Sequence, residues 1–314
     1  MTGRGLHHVT AIATNASRNL DFYTRVLGLR LVKRTVTHED PGAYHLIYGD
    51  EDGSPGSRLS FFSWSSAAAE PRSDGSEHIS FAIAPEAMDW WEARLSACKV
   101  TCRRVNGPEG RLELAFEDPD HTPLALVGAE QAPVASRAPP DIPQACTIRA
   151  LLGVTLSLRG TALMARILTE VLGFAEIESV GDRIVFSAHG GPGGRLCLHR
   201  RPEQTRPRIG AGAIHHVAFR ARDDDDLAAI AARLQERLGI VAGPVKDRYY
   251  FRSLYFRGPD GILMEVSTDG PGLLIDETRE ALGTRLIFPP SLRDRQGELL
   301  RILPPLGESF DQAG

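Results

Sequence analysis

The chain has 314 residues, of which 42% are hydrophobic and 24% are charged, and these values are typical of a globular protein rather than a disordered one. The length favours two domains over one, and the formal net charge of −4 gives no electrostatic basis for binding nucleic acid or an anionic membrane. No apolar run approaches a membrane span, the N-terminus lacks a signal-peptide core, and the four cysteines form no CxxC pair. We therefore expect a cytoplasmic protein with reduced thiols and small-molecule partners.

Four similar units follow one another, at residues 6–66, 76–128, 147–200 and 213–268. Each begins with an alternating strand, continues with an amphipathic helix and ends in short strands broken by turns. In the first unit, Leu20, Tyr23 and Val26 fall at helical spacing, and Gly28 ends the helix. Further strands are predicted at 31–36, 44–48, 59–62, 112–116, 124–127, 254–256 and 263–266, and further helices at 88–95 and 225–238.

Short matching segments show that these units are repeats. Val26-Leu27-Gly28-Leu29 in the first unit recurs as Val171-Leu172-Gly173-Phe174 in the third, and His78-Ile79-Ser80-Phe81 in the second recurs as His216-Val217-Ala218-Phe219 in the fourth. The predicted fold is therefore α+β, with four βαβββ modules in two tandem halves that pair into cupped mixed β-sheets.

The two halves cover residues 1–130 and 147–270. A proline-rich linker without hydrophobic periodicity joins them at 131–146. The tail at 271–314 contains two proline pairs that indicate turns, and we expect it to pack on the domains.

Two histidine pairs and one acidic residue stand out because each lies in a predicted strand. His7-His8 opens the first strand of the first unit, and His215-His216 opens the first strand of the fourth. Glu265 lies in apolar company in the last strand of the fourth unit. A buried carboxylate there is costly unless it is paired or bound to a metal, whereas on an edge strand it would face solvent.

The candidate ligand residues that each of the four units has or lacks favour a metal site. Equivalent positions in the four units hold, in chain order, His8, His78, Gly153 and His216. Glu265 is matched by Ala125 in the second unit. Only a pairing of the first unit with the fourth supplies two histidines and a carboxylate, which leaves the second and third units to form a second cup with an incomplete ligand set. We therefore predict one metal ion bound by His8, His216 and Glu265, with His78 as the rival ligand.

Two histidines and one carboxylate that leave coordination positions open suit Fe(II) and O2 chemistry. The same ligands also suit Mn(II), Zn(II) or Ni(II), so the residues alone leave the identity of the metal open.

Several motifs resemble the vicinal oxygen chelate superfamily, which groups glyoxalases, bleomycin-resistance proteins and extradiol dioxygenases on a βαβββ unit. The resemblance is closest to the ring-cleaving dioxygenases of hydroquinones, and it is carried by residues 6–11, 19–23, 27–33, 40–46, 48–50, 54–56 and 247–270. It covers nearly the whole chain and is weak through the second and third units. The fold of this superfamily does not by itself fix the reaction.

By this resemblance, His8, His216 and Glu265 match the iron ligands. The residues that match positions around the substrate are His7, Thr10, His215, Arg248 and Tyr255. Because neighbouring side chains of a strand point to opposite faces, His7 and His215 can lie beside the ligands only if their strands twist or bulge.

The activity that the resemblance implies is Fe(II)-dependent opening of the ring of a substituted hydroquinone by O2. The oligomeric state is not determined by the sequence, which is compatible with a homodimer or a higher homo-oligomer. One alternative is a glyoxalase-like lyase or isomerase, but such enzymes usually need a second acidic ligand, and Ala125 stands at that position. The other is a non-catalytic binding or resistance protein, and such proteins generally lack the three ligands that this chain keeps.

Overall fold

The structure of the protein is a computed structural model, and it describes residues 4–65, 67, 78–130, 138–203 and 209–306. Residues 131–137 of the predicted linker and 307–314 of the predicted tail lie outside the described residues. Within those described ranges, no helix is long and apolar enough to cross a membrane.

Each of the four units folds as one strand, one helix and three further strands. The first unit contains β1 (Leu6–Ala13), α1 (Ala16–Asp21), β2 (Arg30–Val36), β3 (Tyr44–Gly49) and β4 (Arg58–Ser63). The second contains β5 (His78–Ile83), α2 (Met88–Ala97), β6 (Cys102–Asn106), β7 (Leu112–Glu117) and β8 (Pro123–Gly128). The third contains β9 (Ala150–Leu158), α3 (Ala162–Arg166), β10 (Ala175–Val180), β11 (Arg183–Ser187) and β12 (Arg195–Arg200). The fourth contains β13 (Ile214–Ala221), α4 (Asp224–Leu238), β14 (Lys246–Asp247), β15 (Phe251–Arg257) and β16 (Leu263–Pro271), and the tail adds α5 (Gln296–Ile302).

The repeated Val-Leu-Gly sequence marks a repeated helix end. In the first unit α1 widens into a π-helical turn over Phe22–Val26, and in the third α3 does so over Ile167–Val171. Gly28 and Gly173 follow with φ angles of 69° and 73°, in the left-handed region that glycine adopts at little cost. The prediction that Gly28 ends the first helix is therefore confirmed.

The modules form two eight-stranded sheets, in the orders β14-β15-β16-β13-β1-β4-β3-β2 and β10-β11-β12-β9-β5-β8-β7-β6. At the centre of the first sheet β1 pairs antiparallel with β13, and at the centre of the second β5 pairs antiparallel with β9. In each module the first strand pairs parallel with the last. The predicted pairing of the first unit with the fourth is confirmed, so each sheet takes one module from each half of the chain.

The two faces of the first sheet differ because side chains alternate along its strands. On the outer face, Val9 and Val217 belong to the main hydrophobic core. On the inner face, the neighbouring positions His8 and His216 are polar and almost fully buried. Polar atoms buried in this way need a hydrogen-bond partner or a ligand, so the inner face is the candidate location of a binding site.

The tail lies against the same sheet. Leu273 and Leu282 pack with side chains of β2 and β3 in a small apolar cluster. The Lys33 side chain on β2 is fully buried, and its ammonium group pairs with Asp276 at 2.7 Å and with Glu277. A buried lysine needs such partners, so the two carboxylates fix the tail to the edge of the sheet.

Candidate metal centre

His8, His216 and Glu265 lie together at the centre of the first sheet. They belong to β1, β13 and β16, which are neighbouring strands, and each residue is at most 5% exposed. The two Nε2 atoms are 3.0 Å apart, and Oε2 of Glu265 lies 2.9 Å from Nε2 of His216 and 3.6 Å from Nε2 of His8. In the part of the chain that the structure describes, this is the one group of three such side chains close enough to hold a metal ion.

A β-bulge in each histidine strand brings both members of a pair to the same site. The pairing of β1 with β13 shifts between Leu6 and His8 and again around His215, so that His7 and His215 are extra residues. A bulge turns a side chain away from the regular alternation of the strand. As a result, Nδ1 of His7 lies 2.7 Å from Nδ1 of His8, and the same distance separates the Nδ1 atoms of His215 and His216.

These contacts limit where the ring protons can lie. Each contact between two Nδ1 atoms is a hydrogen bond only when one of the two nitrogens carries the hydrogen. When His8 and His216 are the donors, the Nε2 lone pair of each ring is free to bind a metal ion. Two lone pairs 3.0 Å apart beside a carboxylate repel one another unless a cation lies among them. The donor set therefore fits a metal ion, with a neighbour that orients each imidazole.

The distances among the three donor atoms also fit a metal ion. Metal–ligand bonds of about 2.1 Å that meet at right angles place the donor atoms about 3 Å apart. Two of the observed separations, 2.9 and 3.0 Å, match this value, and the third is 3.6 Å. Three protein ligands of this kind would leave further coordination positions open.

Hydroxyl groups hold the carboxylate of Glu265. Ser267 donates to its Oε1 at 2.9 Å, and Ser253 lies 3.0 Å from the Ser267 hydroxyl. Burial would raise the pKa of Glu265, but His216 and His8 outweigh it and hold this pKa well below its usual range. Burial lowers the pKa of His8 to about 3. Metal binding requires deprotonated ligands, and the lowered pKa values of Glu265 and His8 both favour that state.

Arg248 and Tyr255 form a polar chain that ends at this cluster. Glu39 pairs with the Arg248 guanidinium at 2.6 Å, and Nε of Arg248 donates to the Tyr255 hydroxyl at 3.1 Å. Tyr255 lies opposite Glu265 on the neighbouring strand. Burial and the charge of Glu265 raise the pKa of Tyr255, so the phenol stays protonated and can donate.

Thr10 and His7 lie one step away from the three ligands. Thr10 is opposite His216 in the pairing of β1 with β13, and its hydroxyl hydrogen-bonds to Ser60 at 2.7 Å. The buried guanidinium of Arg58 lies 3.5 Å from Nε2 of His7. Burial and this positive charge hold the pKa of His7 well below its usual range, so the ring stays neutral.

The sequence-based interpretation missed the aromatic walls of the site and missed Arg58. Phe251 packs against the rings of His7 and His8, with centroid distances of 4.9 and 5.5 Å. On the other side, Phe62 packs 5.2 Å from the ring of His215. The alternation of β4 could have placed Phe62 on the inner face, whereas no pattern in the sequence indicated that Arg58 would lie under the first histidine pair.

The second sheet has lost most of the equivalent ligands. Its residues at the three ligand positions are His78, Gly153 and Ala125. A Cβ at Gly153 would lie 2.1 Å from the carbonyl oxygen of Arg195, so the close approach of two strands excludes any side chain. His78 instead lies 3.6 Å from Glu113, whose pKa burial raises to about 7. The rival ligand His78 is therefore in the other sheet, separate from the cluster.

A family model described as the Glyoxalase/Bleomycin resistance protein/Dioxygenase superfamily matches residues 5–126 and 155–266 of the chain. The three clustered residues fall within the matched segments. The strand order and the match together confirm the predicted α+β fold of paired modules.

Three relatives are similar over nearly their whole length. The "Putative ring-cleaving dioxygenase MhqA" of Bacillus subtilis (strain 168) is 38% identical over 321 residues, which cover 98% of this chain and 100% of the relative. The chlorohydroquinone/hydroquinone 1,2-dioxygenase of Sphingobium indicum is 28% identical over 309 residues, which cover 95% of each. A crystal structure titled "putative dioxygenase" from Bacillus subtilis superposes with a TM-score of 0.91 at 34% identity and covers 98% of both chains.

Glyoxalase I from Zea mays superposes with a TM-score of 0.61 at 15% identity, and the match covers 84% of this chain and 92% of that one. Such a distant likeness shows the fold alone.

Proposed function

The chain belongs to the glyoxalase/bleomycin resistance protein/dioxygenase superfamily, and from this we propose that it is a ring-cleaving dioxygenase that opens a substituted hydroquinone with O2. In this proposal Fe(II) is held by His8, His216 and Glu265. The observation that carries it is the convergence of two imidazole Nε2 atoms and one carboxylate oxygen, all buried and 2.9 to 3.6 Å apart. The names of the relatives support a dioxygenase role, and one relative is named for hydroquinone.

The overall reaction adds both atoms of O2 to the ring. The carbon–carbon bond between a hydroxylated carbon and its neighbour breaks, and an unsubstituted ring leaves a carboxylic acid at one end and an aldehyde at the other. Bound Fe(II) would supply the Lewis acidity that lowers the pKa of a phenol and the electron transfer that O2 requires.

The chain itself supplies orientation and protons. His7 and His215 hold the Nδ1 protons of the ligand histidines in place. Tyr255, kept protonated and held by Arg248, can donate a hydrogen bond from Oη to an oxygen that gains negative charge. Burial lowers the pKa of His215 to about 4, so its neutral ring can donate from Nε2 on the same side.

The apolar and aromatic lining supports an aromatic substrate. Phe251 on one side and Phe62 on the other can hold a planar ring by offset or edge-to-face packing. They also keep water away from the open coordination positions, which strengthens each hydrogen bond there.

A test starts from protein loaded with Fe(II) in the absence of O2 and shown by metal analysis to hold one iron per chain. On mixing with 18O2, we expect uptake with hydroquinone and its methyl and chloro derivatives, and a ring-opened acid that carries two labelled oxygens. No uptake with any hydroquinone or catechol would contradict the proposal. Glyoxalase activity of the Zn(II)- or Ni(II)-loaded protein, without O2 uptake by the iron form, would favour the lyase alternative.

A further inference from the structure

A histidine that is not one of the three ligands also lies on the inner face of the first sheet. His45 stands on β3 between Tyr44 and Leu46, both of which belong to the main hydrophobic core. Its side chain therefore points to the opposite face, toward the cup. Its ring packs on Phe62 with a centroid distance of 4.8 Å. The Nε2 atom is buried and has no hydrogen-bond partner among the described residues.

Thr35 is a second unpaired group beside it. It lies directly opposite His45 in the pairing of β2 with β3 and is 2% exposed. Its hydroxyl is also buried, and no described residue hydrogen-bonds to it. Buried polar groups nearly always have partners, so two unpaired neighbours on one wall indicate a place for a polar group of a ligand.

In the strand order, β15, which carries Tyr255, lies on one side of the three ligand strands, and β3 lies on the other. Phe62 links His45 to the second histidine pair, because its ring contacts both His45 and His215. Burial holds the pKa of His45 well below its usual range, which keeps the ring neutral.

We propose that His45 and Thr35 bind the second hydroxyl of a para-dihydroxylated substrate and thereby select hydroquinones over catechols. This inference rests on the proposed function, since it places the first hydroxyl at the cluster. The two oxygens of a 1,4-diol lie at opposite ends of the ring, so the far one needs a partner across the cup. A catechol presents both oxygens to the cluster and leaves His45 and Thr35 unpaired. Imidazole and hydroxyl can each donate or accept, so together they match a phenolic O–H.

The test measures binding rather than turnover. Protein loaded with Zn(II), which does not oxidise phenols, is titrated under argon with hydroquinone and with phenol, which lacks the second hydroxyl. Wild-type protein is expected to bind hydroquinone about tenfold more tightly than phenol. In Thr35→Val and in His45→Phe that ratio is expected to fall to about two, the statistical factor for two equivalent hydroxyls, while each variant keeps one zinc per chain.

A matched control comes from the second sheet. His199 on β12 also has a buried ring nitrogen without a partner among the described residues, and His199→Phe is expected to leave the ratio at its wild-type value. A wild-type ratio near two, or a ratio unchanged in both variants, would overturn the inference and leave the proposed function standing. If the wild-type zinc protein binds neither hydroquinone nor phenol, that result would contradict the proposed function itself. Thr35→Val is close in volume to the wild type, so it decides the question if His45→Phe does not fold.

Discussion

Each metal-binding histidine of the proposed site is preceded by a histidine that orients it. The Nδ1 contacts of His7 with His8 and of His215 with His216 have the same length, 2.7 Å. Glu265 differs, because a serine hydroxyl and its two histidine partners hold it. Removal of the acid therefore removes the negative charge of the site and leaves the orientation of both imidazoles intact.

Glu265→Gln is expected to lower the iron content to below about a tenth of the wild-type value, since an amide is a far weaker ligand than a carboxylate. The measurement is metal analysis after anaerobic loading with Fe(II) and desalting. Glu113→Gln, which changes the buried carboxyl of the second sheet, serves as the matched control and is expected to keep full iron content. One iron per chain in Glu265→Gln would show that the cluster is not the metal site.

Tyr255→Phe is expected to lower kcat for hydroquinone by about 100-fold, because the phenol that Arg248 holds is the proposed donor to the oxygen that gains negative charge. Its iron content is expected to stay at one per chain. Tyr249→Phe removes a phenol from the adjacent turn and is expected to leave kcat within about twofold of the wild type. Equal rates in the two variants would remove Tyr255 from the proton-donating role.

Glu113 gives a pH dependence that can be separated from the metal. Its pKa rises from 4.5 to about 7, mainly through burial, with Arg183 and Arg111 partly opposing that rise. The pKa of Glu113 is higher in the folded protein than in the unfolded chain, so folding favours the protonated carboxyl. This contribution to the free energy of unfolding is fully present below pH 4.5 and is lost as the pH rises through about 7.

Urea unfolding of the wild type and Glu113→Gln from pH 4.5 to 8 tests this. We expect the free energy of unfolding of the variant, minus that of the wild type, to increase by about 2 to 3 kcal/mol across this range. Parallel pH profiles would mean that Glu113 is ionised in the folded protein at neutral pH.

At the scale of strands, the two bulges explain why the observed positions of His7 and His215 differ from those that strand alternation predicts. The period of two places His7 and His8 on opposite faces, and the sequence could indicate only that a bulge was needed. A bulge depends on how β1 pairs with β13, more than 200 residues away, so no local pattern reveals it. The positions of His45 and Arg58 were missed for a similar reason, because each becomes significant only through its neighbours in the folded sheet.

The same scale explains why the second cup cannot regain its missing ligand. At Gly153, β9 and β12 approach so closely that a Cβ would meet the backbone of Arg195. Gly153→Ala is expected to lower the free energy of unfolding by about 2 kcal/mol or more, because the strands must move apart. Gly160→Ala, in the open turn that follows, meets no described atom within 4 Å and is expected to cost less than about 0.5 kcal/mol. Thermal and urea unfolding of both variants measure the difference, and equal stabilities would contradict the close approach.

At the scale of the molecule, the repeats allowed the sequence to predict the pairing of modules. His8 lies in the first module, and His216 and Glu265 lie in the fourth, so a complete ligand set required these modules to meet. The strand order confirms that they do. The position of the tail could not be predicted, because it depends on the single buried Lys33 and its pairing with carboxylates far along the chain. Periodicity does not detect a single contact of this kind.

Diffraction at the iron absorption edge, from crystals grown with Fe(II) without O2, tests the proposed metal site most directly. The expected result is one anomalous peak per chain, about 2.1 Å from Nε2 of His8, Nε2 of His216 and a carboxylate oxygen of Glu265. A peak beside His78 and Glu113 instead, or no peak between β1, β13 and β16 in crystals that contain iron, would contradict it.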